Sequence, residues 1–574
     1  MNIPSPTALN LQLLTLIFTK IMKFSKLFLT TLAAASLMVS CTDVEPTIAD
    51  EPNQEQPEPE PEPTPGGDIE SPKPSFTCSS QKTTIDASKV YQTMEGFGAS
   101  DCWLPNKIGE YWTSHRKQLA DWLFSRNIVK GQPQGIGLSM WRVNLGAGTE
   151  EIGEASGINN DNMNNRAPSY LNGSSYDWTK CKGQRYFMEQ AKNNGIESIV
   201  FFSNSPLVQY TLNGQGRSDA GDKANLKDDC YDDFADYMAT VAQHFVNEGY
   251  PVTHISPVNE PQYNWEGNAQ EGSGWQNSEL ARLVRELDKA LTAKSVSTKI
   301  LIPEAAAWGY LYEGRSDQRY NQVEAFFDPN SANYLGDLTT VDKVVGGHSY
   351  WTFDNWNDMR NVRKKVADAA SRRSLRVWQT EWSMLDACPS ELGGNYDNIS
   401  EFDIALYMSK IIHNDLTVAG CTSWSYWTAM SVERWSQKNR FELIKTTPAG
   451  GNYDNDFTAP GNVTATANLW VLGNYSLFVR PGYRRIDLRA SESKDFFGSA
   501  YVSPDGNTIV AVYTNTSADR GVTLENTFAG SKTLKTVTRY TTTSGKNLKE
   551  DRFNIADNVF VEPNSVTTIV YTFE

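Results

Sequence analysis

His254-Ile255-Ser256-Pro257-Val258-Asn259-Glu260-Pro261 is a short apolar run that stops on a carboxylate. On either side of it lie amphipathic stretches, Tyr231 to Asn247 and Ser278 to Ala293, that read as helices. The same strand-and-helix unit recurs along the chain. Further strand candidates are 96–99, 137–145, 197–203, 299–305, 344–351, 376–382 and 421–427. Between them fall helix-like stretches at 116–124, 184–193, 359–370 and 402–413. Alternation of this kind implies a parallel sheet. Eight units over roughly 340 residues fit a (β/α)₈ barrel. A doubly wound open sheet is the alternative. It would normally carry a Gly-rich phosphate loop after an early strand, and none is evident.

The texture changes towards the C-terminus. Thr508 to Tyr513, Thr536 to Thr543, Val559 to Val561 and Val566 to Thr572 are short runs rich in Thr and Val. Polar turns such as Ser503-Pro504-Asp505-Gly506-Asn507 separate them, which suggests a β-sandwich. Residues 83–94 also read as extended and are expected to add a strand to it. The expected organisation is thus a signal region at 1–41, a Pro/Glu-rich linker at 42–75 and a sandwich strand at 76–94. A barrel at 95–470 and the rest of the sandwich at 471–574 complete it.

The N-terminal segment reads as an export signal. Met22-Lys23-Phe24-Ser25-Lys26 is basic, and Leu27 to Val39 is apolar but too short to span a membrane as a mature helix. Leu37-Met38-Val39-Ser40-Cys41 resembles a bacterial lipobox, which would place a lipid on Cys41; an ordinary cleaved signal is the alternative. The run EPNQEQPEPEPEPTP at 51–65 alternates Pro with Glu and reads as an extended stalk. The chain is therefore expected to be exported and anchored by lipid to a bacterial outer membrane, and to act as a monomer. With 52 basic against 68 acidic residues the formal net charge is −16. Such a surface disfavours nucleic acid and anionic lipid as partners. Beyond Cys41 there are Cys78, Cys102, Cys181, Cys230, Cys388 and Cys421, either paired or free and buried. Neither C-x-x-C nor H-E-x-x-H occurs, so no metal or other cofactor is expected.

A second strand candidate, Arg376-Val377-Trp378-Gln379-Thr380-Glu381-Trp382, also ends in a carboxylate region. In a (β/α)₈ barrel the active site lies at the C-terminal ends of the strands. Strands four and seven stand on opposite sides of the ring, so Glu260 and Glu381 can face each other across its mouth. Glycosidic cleavage needs two carboxyl groups placed in this way. A G-x-S-x-G nucleophile motif is absent, which disfavours a serine hydrolase.

Asn259-Glu260-Pro261 together with Glu381 resembles the retaining β-glycosidases built on (β/α)₈ barrels, and the best match is glycoside hydrolase family 30. Glu95-Gly96-Phe97-Gly98-Ala99-Ser100, Arg142-Val143-Asn144, His348-Ser349-Tyr350-Trp351 and Trp424 resemble further family elements, and the likeness covers residues 83–574. The resemblance implies that Glu260 is the general acid/base and Glu381 the nucleophile. It also implies that Asn259 binds the sugar 2-hydroxyl, while Arg142 and Tyr350 orient Glu381. His348 is expected to be a hydrogen-bonding partner at the strand end. Trp424, Trp265 and Trp382 are each expected to be either a sugar-stacking platform or core packing.

Phe201-Phe202-Ser203-Asn204-Ser205-Pro206 lacks the tryptophans of the glucosylceramidase-like branch. The loop at 146–151 and the polar insertion at 157–176 resemble the endo-β-1,6-galactanase-like branch instead. The expected substrate is a neutral plant or fungal polysaccharide, foremost β-1,6-galactan. β-1,6-Glucanase, xylanase and exo-β-glycosidase activities are the alternatives within the family. A non-catalytic carbohydrate-binding lipoprotein is the alternative class.

Overall fold

The computed structural model describes residues 69–432, 437–449, 457–530 and 532–574. Cys41, the signal region and the linker up to residue 68 lie outside the described residues. Among the described residues no helix is long and apolar enough to cross a membrane.

An N-terminal strand β1 (Thr77–Thr93) precedes eight barrel strands. These are β2 (Gly96–Ser100), β3 (Met140–Asn144), β4 (Ser198–Phe202), β5 (Val252–Ser256), β6 (Lys299–Ala305), β7 (Val341–His348), β8 (Arg376–Trp382) and β9 (Cys421–Tyr426). All eight are parallel and neighbours in sequence are neighbours in space. Pairing of β9 with β2, Ser423 opposite Gly96 and Trp424 opposite Phe97, closes the ring. The fold is a (β/α)₈ barrel.

The outer layer follows from helical periodicity. In α1 (Tyr231–Asn247), Phe234, Ala235, Met238, Val241, Ala242 and Phe245 are buried along one face. Each large apolar side chain among them contributes about 1.5–3 kcal/mol by leaving water. In α2 (Trp356–Arg372) the Asn355 side chain caps the first turn by accepting from the Asp358 N–H. In α3 (Glu401–Asn414), Ser400 and Asp403 form a capping box. Inside the barrel, Met140, Val200, Leu301, Val344 and Trp378 make an apolar layer. On β9 the hydroxyls of Ser423 and Ser425 lie 3.5 and 3.9 Å from the Met140 sulfur, so these residues point inward. Strand alternation then turns Trp424 and Tyr426 outward.

Strand β5 ends earlier than its apolar run. Pro257 has no N–H for the ladder, and Glu260 takes φ +45°, so the acid stands on a turn beyond the strand. Likewise β7 ends at His348 and leaves Tyr350 and Trp351 in the turn above it.

The remaining strands are β10 (Arg484–Arg489), β11 (Phe496–Val502), β12 (Thr508–Asn515), β13 (Arg520–Ala529), β14 (Leu534–Thr543), β15 (Lys546–Phe553), β16 (Val559–Val561) and β17 (Ser565–Phe573). With β1 they form a nine-stranded sheet ordered β15-β14-β17-β12-β11-β10-β1-β13-β16. β1 runs antiparallel to β10 and parallel to β13, so the N-terminal strand joins the C-terminal sheet. The two edges meet: Phe553 of β15 and Phe560 of β16 have ring centroids 5.8 Å apart. The sheet thus folds over its own core as a sandwich. Strand β12 serves both units, with Ile509, Ala511 and Tyr513 in the sandwich core and Val510 and Val512 in the barrel core. All six described cysteines are free thiols, so packing rather than disulfides joins the two units.

Candidate active site

The strand ends of β3, β5, β6, β7 and β8 converge on one buried charged cluster. Arg142 leaves β3 with its guanidinium 3.6 Å from the centroid of the Phe202 ring, which fixes its plane. Its Nη1 donates to Glu381 Oε2 at 2.7 Å and its Nη2 to Asn259 Oδ1 at 2.9 Å. The Tyr350 hydroxyl donates to the other Glu381 oxygen, Oε1, at 3.1 Å. Burial and the charges of Glu381 and Glu260 hold the Tyr350 phenol well above its ordinary range, so it remains a donor.

Glu260 is strapped by its backbone. Its N–H donates to the Glu304 carbonyl at 3.0 Å, and its carbonyl accepts from the Tyr263 N–H at 2.9 Å and from Trp265 Nε1 at 3.1 Å. Those bonds hold a left-handed conformation that costs an L-residue about 1–2 kcal/mol. Burial raises the Glu260 carboxyl above its ordinary value of 4.5; the Glu381 charge adds to the rise, while His348 and Arg142 oppose it.

His348 Nδ1 lies 2.8 Å from Glu260 Oε1, and Nε2 lies 3.1 Å from Glu304 Oε2. A carboxyl group faces each nitrogen, which favours the charged imidazolium. Burial works against that charge, but Glu381, Glu260 and Glu304 outweigh it and push the imidazole up to about 10. Glu304 is fully buried and also accepts from Ser256 Oγ at 3.0 Å and Thr380 Oγ1 at 2.7 Å. Burial disfavours its ionisation, yet Arg142, His348 and Thr380 hold its carboxyl at about 2. Burial and the neighbouring Glu381 favour a protonated Glu260, against the opposing charges of His348 and Arg142.

One oxygen of Glu260, one nitrogen of His348 and one oxygen of Glu381 lie within 4.8 Å of one another. Such a set could in principle hold a cation. A doubly protonated imidazole has no lone pair to offer a metal, so the arrangement suits proton and glycosyl transfer better.

The profile of O-glycosyl hydrolase family 30 matches residues 80–439, more than half of the chain. The chain belongs to O-glycosyl hydrolase family 30. An endo-β-1,6-galactanase of Hypocrea rufa is 26% identical over 371 residues, 61% of this chain and 68% of that protein. The glucuronoxylanase XynC of Bacillus subtilis (strain 168) is 25% identical over 393 residues, 67% of this chain and 76% of that protein. The crystal structure of a conserved exported protein from Bacteroides fragilis superposes with a TM-score of 0.78 at 31% identity. That match covers 85% of this chain and 99% of the other. The protein is an O-glycosyl hydrolase, and its substrate class is carbohydrate.

Within this family 30 barrel the structure brings together Glu260, Glu381, Asn259, Arg142, Tyr350 and His348. It does not bring the three tryptophans to the sugar-facing surface. Trp424 is fully buried behind the barrel wall, where its Nε1 donates to Asp415 at 2.9 Å. Its position on β9 gives it outward parity, so of the two expectations for it the packing one fits. Trp382 is 1% exposed and packs between Phe353, Trp424 and Tyr426, again behind the wall. Trp265 is buried beneath the Glu260 turn and acts as its buttress.

Sequence reasoning missed Glu304, although the run KILIPEA at 299–305 also ends beside a carboxylate. It missed Trp427 as well, which follows the last residue of β9. Trp427 meets Trp103 edge-on at 5.4 Å and packs with Cys102 and Phe202 beside Arg142.

Proposed function

We propose that the protein is a retaining β-glycanase whose preferred substrate is β-1,6-linked galactan. The proximity of the two carboxyl groups carries the reading: oxygens of Glu260 and Glu381 approach within 4.8 Å. Retaining glycosidases hold the pair about 5–5.5 Å apart, whereas inverting ones leave about 6.5–9.5 Å for a water.

In the first step the Glu381 carboxylate attacks the anomeric carbon. Arg142 and Tyr350 each hold one of its oxygens, which aims the side chain. Glu260 delivers its proton to the departing oxygen as the glycosidic bond breaks. Asn259 has its Oδ1 engaged by Arg142, so its Nδ2 is left to donate to the sugar 2-hydroxyl. That bond strengthens as the ring gains oxocarbenium character. Once Glu381 is esterified, its charge no longer raises the Glu260 pKa. Glu260 can then take a proton from water, which attacks the glycosyl-enzyme. Trp103 Nε1 and Asn204 Oδ1 are buried without partners beside this cluster and offer one donor and one acceptor to sugar hydroxyls.

Galactan is preferred because the H. rufa galactanase is among the similar proteins and because the loop at 146–151 has that branch's character. Export is supported by the basic-apolar leader, and the lipid anchor by the Cys41 motif. Reducing-end analysis on galactan, β-1,6-glucan and xylan, with ¹H NMR of the first product, tests the activity. The β-anomer is expected first; initial release of the α-anomer would refute retention. Glu381→Gln is expected to lower kcat on the order of 10⁴-fold, and a variant with undiminished turnover would sink the nucleophile assignment.

A further inference from the structure

Two aromatic rings beside the acid are exposed although each has aromatic neighbours, Trp265 next to Tyr263 and Tyr350 next to Trp351. Tyr263 is 43% exposed and Trp351 56% exposed, and their planes are 7° from parallel with centroids 6.3 Å apart. That spacing is too close to admit a sugar between the rings, so they stack on each other with an offset and leave apolar ring surface exposed.

Both rings belong to the turns that hold the acid. Tyr263 is three residues past Glu260, and its N–H closes the turn onto the Glu260 carbonyl at 2.9 Å. Trp351 is three residues past His348, the imidazole bonded to Glu260, and it follows Tyr350 directly. The tryptophan backbone is also unfavourable by itself: Trp351 has φ +56°, a region that bulky L-residues avoid. Its N–H donates to Asp386 Oδ2 at 2.7 Å. Asp386 is anchored in turn, since its carbonyl accepts from the Tyr396 hydroxyl at 2.8 Å and from Arg440 Nη2 at 3.3 Å. Stability alone would select neither a left-handed tryptophan nor an exposed indole. Their combination, latched by a defined bond, points to a ligand.

We propose that Tyr263 and Trp351 form the platform for the leaving-group side of the substrate, stacking on the sugar ring immediately beyond the scissile bond. The inference rests on Glu260 being the acid, because the acid stands on the leaving-group side. Sugar rings present apolar C–H faces, and the exposed rings of this stacked pair offer an aromatic face to match. A platform on that side favours cleavage within a chain over release of a small aglycone. It also gives an acceptor sugar a place to bind the glycosyl-enzyme.

The test compares two substrates of one sugar. One is an oligosaccharide of whichever of β-1,6-galactan, β-1,6-glucan and xylan the wild-type protein cleaves fastest. The other is the matching glycosyl fluoride, which has no sugar beyond the scissile bond. The wild type reports on the glycanase reading, and the variants report on the platform. For Trp351→Gly and for Tyr263→Leu, the ratio of kcat/KM on the oligosaccharide to that on the fluoride is expected to fall roughly tenfold. Trp351→Phe is expected to recover most of that ratio. Because glycine accepts the left-handed backbone, Trp351→Gly should melt no lower than the wild type. An unchanged ratio in both variants overturns the proposal. So does a Trp351→Gly protein that melts lower and loses both activities in proportion, since that is the mark of a structural residue.

Discussion

At the barrel mouth, Glu260, Glu304 and Trp351 all take positive φ, and ionisable side chains from five strands lie buried in one hydrogen-bonded cluster. In the sandwich, β11 pairs with β12 over seven positions and β12 with β17 over eight, without a bulge. The residues Ile509, Ala511, Tyr513, Ile569 and Tyr571 alternate into one apolar core. The contrast separates two uses of sequence. Where local preference, pairing and burial agree, the chain gains stability. Where they conflict, the conflict is concentrated around groups that can do chemistry, and surrounding bonds hold it in place.

With the two catalytic carboxyls left in place, the largest effect is expected at Glu304, which touches no substrate atom in the proposed mechanism yet bonds His348, Thr380 and Ser256. Glu304→Gln removes one of the carboxylates that raise the His348 pKa. The imidazole should fall from about 10 towards its ordinary 6.5, and Glu260 should lose its charged partner at lower pH than in the wild type. A preorganised charge lost from such a site lowers kcat about 10²–10³-fold. The sign of the pH effect follows from the raised pKa. The stabilisation that His348 gains from these carboxylates is fully present below its unfolded value of 6.5 and is lost as pH rises through about 10. Wild-type melting points should therefore decline between those limits, and the decline should shift to lower pH in Glu304→Gln. The His348 ring resonances measure the pKa directly. A variant whose kcat and His348 titration both match the wild type would show that the cluster is not one electrostatic unit.

A smaller effect is expected just behind the mouth. Trp424 donates to Asp415, which is buried and also bonded by Arg363 at 2.7 Å and Ser349 at 2.9 Å. Trp424→Phe keeps an aromatic side chain but removes one donor from a buried carboxylate and vacates part of the indole's space, at a cost of about 1–3 kcal/mol in stability. Turnover should stay within about threefold at temperatures well below the melting point, because the ring faces away from the barrel axis. If kcat fell steeply while the melting point held, the boundary between mouth and wall would be misplaced.

These residues also show how far the sequence could be read. All six helix candidates and all eight barrel strands were legible, the helices because the 3.6 period persists over whole elements and the strands as short apolar runs between them. Glu381 was legible because it lies at the end of such a strand and Glu260 because it closes the apolar run that continues past one, and the family resemblance supplied the partners of Glu381. Trp424 stayed open between platform and packing because parity depends on where a strand's register begins; a shift of one residue exchanges wall for lumen. Trp427 falls beyond the strand, where periodicity gives no direction. Glu304 carries no motif, and its importance comes from the inward turn of a left-handed residue that only coordinates reveal. The exposure of Trp351 was equally hidden, since a Trp beside a strand end is ordinarily packed.

The smallest effect, and the sharpest check on the comparison, belongs to the sandwich. Ile569 is fully buried on β17 within the sandwich core, next to strand β12, whose other face packs on the barrel. Ile569→Val removes one methylene and should cost about 0.5–1.5 kcal/mol. Since the surrounding strands are regular and fully paired, the loss should remain local. The melting point falls by a few degrees, while kcat and KM on a soluble glycan stay at wild-type values. Thermal melts alongside steady-state kinetics decide the point. A changed kcat would mean that strain in the sandwich reaches the mouth through β12, whose Val510 and Val512 enter the barrel core. The two regions would then be one mechanical unit, and the free-standing stability attributed to the sheet would be partly catalytic support.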